Sequence, residues 1–282
     1  MNASIVLVTY NRLEYTKKTI NCLLNDQDEF DLYIWDNASI DGTKEYLMEE
    51  IKDSRIKEIY LSIENLGQTA AMNYFWAKCN TDLVGKLDND ILISPGWVKT
   101  ISEAHKDIEM LGAVACWHFW EEDFNYEIAK KKIKKYGNHQ ILKHPFVGGT
   151  GFLLKRKTYL KMGPWEEGSP NIGTTSYFLK MALSGYINGW YYPLITQEHM
   201  DDPTSKHCIF KDDASLMKVY DITYTLRTNK IKSYNDRLKR RDYILSRILR
   251  GASDAKYYVG WRNKLHRYLP VFYNLLLKLD KN

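Results

Sequence analysis

An α/β fold with a mostly parallel central sheet flanked by helices, followed by a C-terminal helical extension, is what the sequence predicts. Three observations lead there. Short, continuous, β-branched runs alternate with helical patterns of about 10–15 residues. Each run ends in a polar turn cluster. With 282 residues and 44% hydrophobic content, the chain is long enough to bury one large core or two modest ones. In such a sheet the loops after the carboxyl ends of the strands gather at one edge, where ligands bind.

Ser4 to Thr9 reads as a fully buried strand, because its apolar residues run on without alternation. Polar Tyr10-Asn11-Arg12 follows it. The spacing predicts a helix over 13–24, with Ile20, Leu23 and Leu24 on one face. A second strand over 31–35 runs into Asp36-Asn37-Ala38-Ser39-Ile40-Asp41-Gly42-Thr43, where Thr43 is suited to cap a helix from Lys44. A third strand spans 56–61, Asn65-Leu66-Gly67 makes a turn, and a helix over 68–79 buries Ala70, Ala71, Tyr74 and Phe75. The fourth strand, 83–87, ends at Asp88-Asn89-Asp90. Residues i and i+2 of a strand face the same way, so Asp88 and Asp90 are expected to project together. Convergent carboxylates repel unless a cation lies between them, and a hard divalent ion suits oxygen ligands. The tripeptide is also good turn composition. The convergence of residues 9–12, 36 and 88–90 on one sheet edge favours the ion.

Charged residues make up 27% of the chain, which does not suggest disorder. Four cysteines without a Cys-x-x-Cys pair argue against a disulfide framework or zinc site and fit a reducing compartment. The first residues lack the pattern of a signal peptide, and no uncharged apolar run approaches the length of a membrane span. A cytoplasmic protein, soluble or peripheral to the inner face of the cell membrane, is expected. From Arg227 onward there are fifteen Lys/Arg against four Asp, a balance of +11; the whole chain carries +5, so the preceding part carries −6. The basic character belongs to the tail.

These residues resemble family 2 glycosyltransferases of the type with a GT-A, Rossmann-like nucleotide-sugar-binding fold. The resemblance rests on Thr9-Tyr10-Asn11-Arg12, on Asp36-Asn37-Ala38-Ser39 with Asp41-Gly42-Thr43, and on Asn65-x-Gly67 with Ala71 and Asn73. It continues through Asp88-Asn89-Asp90, Gly148-Gly149-Thr150-Gly151-Phe152 and Gly185-Tyr186, over residues 4–202. It implies a catalytic domain over 1–205, with nucleotide-sugar binding in 1–95 and the acceptor side in 96–205, and a basic helical extension over 206–282. Thr9, Tyr10 and Asn11 would shape the nucleotide pocket, and Asp36 would accept a hydrogen bond from a base such as uracil. Asn65, Gly67 and Gln68 would contact the nucleotide, with Asp88 and Asn89 near the ribose. Asp90, with Asp88 beside it, would bind Mn2+ or Mg2+ bridging the diphosphate, assisted by Arg12 or Lys86. His199 would be a further metal ligand. The implied reaction moves a sugar from a nucleoside-diphosphate sugar, UDP favoured, to a hydroxyl acceptor with inversion, plausibly in bacterial surface polysaccharide synthesis. The acceptor would be a saccharide or lipid-linked saccharide.

One departure stands out. The family usually carries an acidic pair about a dozen residues before the Gly185-Tyr186 equivalent, and its Asp is the general base. Here the segment reads Gly173-Thr174-Thr175-Ser176-Tyr177, and a threonine hydroxyl cannot serve as a base at neutral pH. Glu166, Glu167, Asp201 and Asp202 are the nearby acids, of which Glu167 and Asp202 are the nominated substitutes. Two alternatives stay open. One is a fold-mate that binds nucleotide sugar as a partner or sensor subunit without efficient transfer. The other is a nucleotidyltransferase, although no basic glycine-rich triphosphate loop occurs early in the chain.

Trp97, Trp117, Trp120 and Trp165 are expected to be sugar platforms or core, and Lys130–Lys135 a solvated helix face. In the tail, Leu265, Leu269, Phe272, Leu276 and Leu279 recur at helical spacing beside Lys264, Arg267 and Lys278. Such a stripe can lie on an anionic membrane surface, or pack on the catalytic domain or on a second copy in a homo-oligomer. No nucleic-acid recognition motif accompanies the charge.

Overall fold

The expected order of strands and helices over the first 90 residues is present, with ends displaced by a residue or two. The computed structural model describes residues 1–167, 174–210, 212–216 and 233–268. The chain begins with β1 (Ala3–Thr9), α1 (Leu13–Leu24), β2 (Asp31–Asp36), a short α2 (Thr43–Glu45) continued by a π-helical turn (Tyr46–Glu50), β3 (Ile56–Leu61), α3 (Gly67–Lys78), β4 (Leu83–Asp88) and β5 (Ile91–Ile93). Then come α4 (Trp97–Asp107), β6 (Leu111–Ala115), α5 (Tyr126–Ala129), β7 (Ile133–Tyr136), β8 (His139–Lys143), β9 (Phe152–Lys155), α6 (Arg156–Met162), α7 (Thr174–Leu183), β10 (Ile187–Tyr192) and β11 (Gln197–His199). Two helices follow, α8 (Tyr234–Arg250) and α9 (Gly260–Tyr268).

Among the described residues the main sheet has nine strands in the order β3-β2-β1-β4-β9-β6-β10-β8-β7. β3, β2, β1 and β4 run parallel, β9 runs antiparallel between β4 and β6, and β10 is parallel to β6. The seam between the two halves depends on Gly85: a Cβ there would lie 2.4 Å from the Phe152 carbonyl oxygen, so only glycine lets β9 approach β4. A separate antiparallel ribbon pairs β5 with β11 in the register Ile91–His199 and Ile93–Gln197.

β1 shows why the sequence lacks alternation. Val6 and Val8 belong to one core, with Trp35, Phe75 and Trp76, while Ile5 and Leu7 belong to the core on the other face, with Ile20 and Leu23. Both faces of the strand are covered by helices. Trp97, Trp117 and Trp165 are at most 2% exposed and are core residues; of the four candidate platforms only Trp120 keeps partial exposure. Lys130–Lys135 is not a helix face. It forms a 3-10 turn and the start of β7, and Lys132 is buried with its Nζ donating to the Ile248 carbonyl.

That bond belongs to the docking of α8. Ile248 and Leu249 enter the core, and Arg241 forms ion pairs with Asp123 and Asp202. Tyr258 packs edge-on against Phe146. The described part of the tail, 233–264, therefore packs on the body of the protein. The apolar stripe at 265–279 lies outside the residues whose side chains are described. No helix among the described residues is long and apolar enough to cross a membrane.

Burial of histidine side chains ties stability to pH. His105 of α4 is fully buried, its Nε2 3.2 Å from the Leu153 carbonyl oxygen, and burial holds its pKa at about 3. Burial likewise pushes His144 well below the usual range. An unfolded imidazole titrates near pH ~6.5, so between there and the folded value the unfolded chain takes up protons that the folded one refuses. Stability should fall as pH drops below about 6.5, by up to about 1.4 kcal/mol per pH unit for each such histidine. Urea melts at pH 7, 6 and 5 are expected to show this loss, with a shallower slope in His105→Gln by roughly one proton. An unchanged slope in the variant would remove His105 as a source.

Candidate functional site

Three loops at the carboxyl edge of the parallel strands are stapled together by buried polar groups. Asp36 is fully buried at the end of β2, and its carboxylate accepts from Thr9 Oγ1 at 2.9 Å, from the Ser39 backbone N–H at 3.0 Å and from Ser39 Oγ. The Ser39 hydroxyl oxygen in turn accepts from the Asn11 backbone N–H at 2.7 Å, and Asn11 Oδ1 accepts from the Ile40 N–H at 3.0 Å. Asn89 Nδ2 then reaches across from the third loop to the Asn11 carbonyl at 3.0 Å and to Thr16 Oγ1 at 2.9 Å. Thr9, Asn11, Asp36 and Asn89 are all buried, so the geometry gives them a part in holding the crevice together. Tyr10, Asn65, Gly67 and Gln68 keep partial exposure. Gly67 has φ +80 with open space around it, and its N–H donates to Asn65 Oδ1 at 3.0 Å, a turn that demands glycine for its backbone.

Asp88 ends β4 and is the most accessible of the paired acids, its side chain 18% exposed. Its carboxylate is oriented from below. Lys86 is fully buried in the same strand, and its Nζ donates to Asp88 Oδ1 at 2.7 Å, Gln68 Oε1 at 2.7 Å and the Gly149 carbonyl at 2.8 Å. Gln68 Nε2 donates to the same Asp88 oxygen at 2.9 Å. Lys86 thus sits beneath the crevice as the counter-charge of Asp88. The Asp88 N–H donates to Thr150 Oγ1 at 2.9 Å, which fastens the glycine-rich segment to the end of β4.

Asp90 arrives by a different route from the one expected. β4 stops at Asp88, and Asn89-Asp90 forms a turn into β5, so strand alternation does not place the two acids side by side. The β5–β11 ribbon does the placing instead: His199 is opposite Ile91, and the Met200 N–H donates to the Asp90 carbonyl at 2.8 Å. Asp90, His199 and Asp201 consequently present ligand atoms within 4.8 Å of one another. Asp88 is not in this cluster; Asp201, which sequence reasoning weighed only as a base, is. The spacing His199-x-Asp201 at the end of a strand was the available signal.

Arg12 completes the cluster. Its Nη1 lies 2.8 Å from Asp90 Oδ2 and 2.6 Å from Asp201 Oδ2, with only 7% of its side chain exposed. Asn11 and Arg12 are consecutive left-handed residues (φ 53 and 61), a backbone that costs about 1–3 kcal/mol per non-glycine residue and persists only where surroundings enforce it. Burial pushes the Asp90 carboxyl above the usual range. Burial also works to raise Asp201, but Arg12, His199 and Arg237 together hold it below that range. Asp90 Oδ1 and His199 Nδ1 are buried and have no hydrogen-bond partner among the described residues. Hard and borderline donors left unpartnered in this way suit Mn2+ or Mg2+.

The nominated bases separate. Glu167 Oε1 accepts from Asn73 Nδ2 at 2.9 Å and lines a pocket on the flank of α3 and α6, with Tyr159, Leu160 and Trp165. Asp202 lines a small cavity with His118, Trp120, Glu198 and His199, and its carboxylate accepts from Arg241 Nε and the Thr204 N–H, at 2.9 and 2.8 Å. Burial, reinforced by the His199 ring, holds the His118 pKa at about 3, so it is a neutral imidazole in that wall. Gly173 and the side chains of Thr174 and Thr175 lie outside the described residues.

The family model described as Glycosyl transferase family 2 matches residues 4–163. No curated protein sequence matches the chain. Among solved structures, the mannosyltransferase PcManGT from Pyrobaculum calidifontis in complex with GDP-Man and Mn2+ superposes with a TM-score of 0.54 at 17% identity, over 67% of this chain and 54% of that one. GalNAc-T7 with UDP, GalNAc and Mn2+ gives 0.56 at 13% identity, over 70% and 43%. TarS residues 1–349 of S. aureus in complex with UDP-GlcNAc gives 0.55 at 12% identity, over 95% and 76%. The chain spans about half the length of the first two.

The network under Asp88 yields a direct test. Lys86→Met removes one buried cation and leaves three acceptors short of a donor, which should cost about 3 kcal/mol. The urea midpoint should fall accordingly with an unchanged m-value. A midpoint like that of the wild type would show the network to be dispensable.

Proposed function

The chain belongs to glycosyl transferase family 2, and on that premise we propose that it transfers a sugar from a nucleoside-diphosphate sugar to a hydroxyl acceptor with the aid of a divalent cation. The observation that carries this reading is the Asp90–His199–Asp201 cluster beside Asp88, at the edge where the strands of an open α/β sheet end. Formal charges support it. Asp36, Asp88, Asp90 and Asp201 are offset by Arg12 and Lys86, which leaves the crevice negative and inhospitable to a diphosphate alone.

Asp90, His199 and Asp201 would hold the ion. When bound, it would supply charge neutralisation for the departing nucleoside diphosphate. The chain's own groups do the rest. Asp88, steadied by Lys86 and Gln68, is poised to take a ribose hydroxyl. The loop organised by Asp36, Asn11 and Ser39 shapes the base pocket with Tyr10 and the Asn65–Gly67 turn. In a single displacement with inversion, the acceptor oxygen forms the new bond to the anomeric carbon as the bond to the diphosphate breaks, and the acceptor proton passes to a carboxylate. Of the nominated bases we retain Asp202, which shares a cavity wall with His199; Glu167 lines a separate pocket on the flank of α3 and α6. UDP as the nucleotide and a saccharide or lipid-linked saccharide as the acceptor rest on the family resemblance. A second reading, donor binding without efficient transfer, is favoured by the clamp of Arg241 on Asp202.

A thermal-shift screen of nucleotide sugars with and without Mn2+ tests the proposal. The true donor should stabilise only with the ion, by about 2.7 kcal/mol at a hundred times its Kd. Asp90→Asn should abolish that shift and lower transfer about 100-fold or more. Asp202→Asn should lower transfer while leaving the donor shift intact, and Glu167→Gln should do neither. Metal-independent donor binding would overturn the assignment of the cluster, and a donor shift without transfer to any hydroxyl acceptor would favour the second reading.

A further inference from the structure

A site for one divalent ion needs donor atoms, and Asp90, His199 and Asp201 supply them. Arg12 supplies none, yet it is the best-held member of the cluster. Its guanidinium touches the near oxygens of both carboxylates, at 2.8 and 2.6 Å, and it is delivered there by two consecutive left-handed residues. The backbone that delivers it is locked in turn, since Asn11 is bonded to Ser39, Ile40 and Asn89. Arg12 cannot be deprotonated in a protein, so its charge is permanent. Meanwhile the far oxygen of Asp90 and Nδ1 of His199 have no hydrogen bond among the described residues, although Nδ1 lies 3.7 Å from Asp90 Oδ2, the oxygen that Arg12 holds. The cluster therefore already holds one fixed cation on Asp90 Oδ2 and Asp201 Oδ2, while Asp90 Oδ1 and His199 Nδ1 keep donor capacity that no hydrogen bond uses.

We infer that Arg12 is a resident counter-cation of the site. It assembles Asp90 and Asp201 before any ion arrives, and it weakens the grip on that ion so that it stays exchangeable. The inference rests on the metal-dependent reading above and goes beyond it, because it concerns a group that ligates nothing. Two carboxylates with a divalent ion would form a neutral cluster. With Arg12 added, the loaded cluster carries +1, which favours a diphosphate beside it. In the absence of the ion, the same guanidinium prevents two buried carboxylates from facing each other uncompensated.

Arg12→Met keeps the apolar stem and removes the charge. Its melting temperature should fall below that of the wild type in chelator, and saturating Mn2+ should close most of the gap. Its Mn2+ Kd, read from free Mn2+ by electron paramagnetic resonance, should tighten at least tenfold. Arg12→Met/Asp201→Asn has only one carboxylate left to compensate, so in chelator it should melt above Arg12→Met, or fold where the single variant does not. A deficit of equal size in chelator and Mn2+ would make Arg12 merely structural and overturn the inference. So would an unchanged or weaker Kd, or a double variant no more stable than the single one. Wild-type Mn2+ binding is a separate readout: if the wild type ignored Mn2+ while Arg12→Met gained binding, the metal-dependent function would fall and the role of Arg12 would stand.

Discussion

Charge taken out of water must be matched by charge or by hydrogen bonds, and that requirement organises this protein's crevice. Lys86 and Arg12 are buried beneath and within it: Lys86 is bound to Asp88, and Arg12 joins Asp90 and Asp201, which would otherwise repel one another. The acids face the ligand edge because the cations hold them from behind. The loops themselves are joined by Asp36, Asn11 and Asn89, and the two cations set where the carboxylates point within that frame.

The frame was legible in the sequence because both of its signals are local. Continuous apolar runs mark strands covered on two faces, and polar clusters mark their ends; β1, β2, β3 and β4 stand where those runs stand. Asp88 and Asp90 could be singled out for the same reason, whereas His199 came only from the family resemblance. What was not legible depends on pairing between distant segments. The sequence treats Asp88 and Asp90 as neighbours on one strand, but the strand ends between them. Asp201 joins Asp90 only because β11 folds back on β5 across more than a hundred residues. The functions of Arg12 and Lys86 were equally hidden, since a lone cation in an apolar run or a loop gives no sign of which acid it will meet. Asp36, expected from the resemblance to meet a base, is in addition the hub of a buried hydrogen-bond network.

The tail shows the same limit from the other side. Its positive charge suggested a surface role, and the count is right, but part of that charge is turned inward. Arg241 spans Asp123 and Asp202, and Lys132 from the body meets the last turn of α8. The helix is a buttress of the wall that carries Asp123 and Asp202, and a carboxylate proposed for catalysis is one of its points of attachment.

The ribbon of β5 and β11 has a consequence for how such a chain can diverge. Three residues on each side set which side chain meets Asp90, and side chains alternate along a strand, so a slip of one place would present Glu198 or Met200 where His199 now stands. Insertions or deletions inside the ribbon would therefore displace the His199 side chain, whereas the excursion between its two strands carries β6 to β10 of the main sheet and is held by pairings of its own. The company that Asp90 keeps is thus written into that short splice.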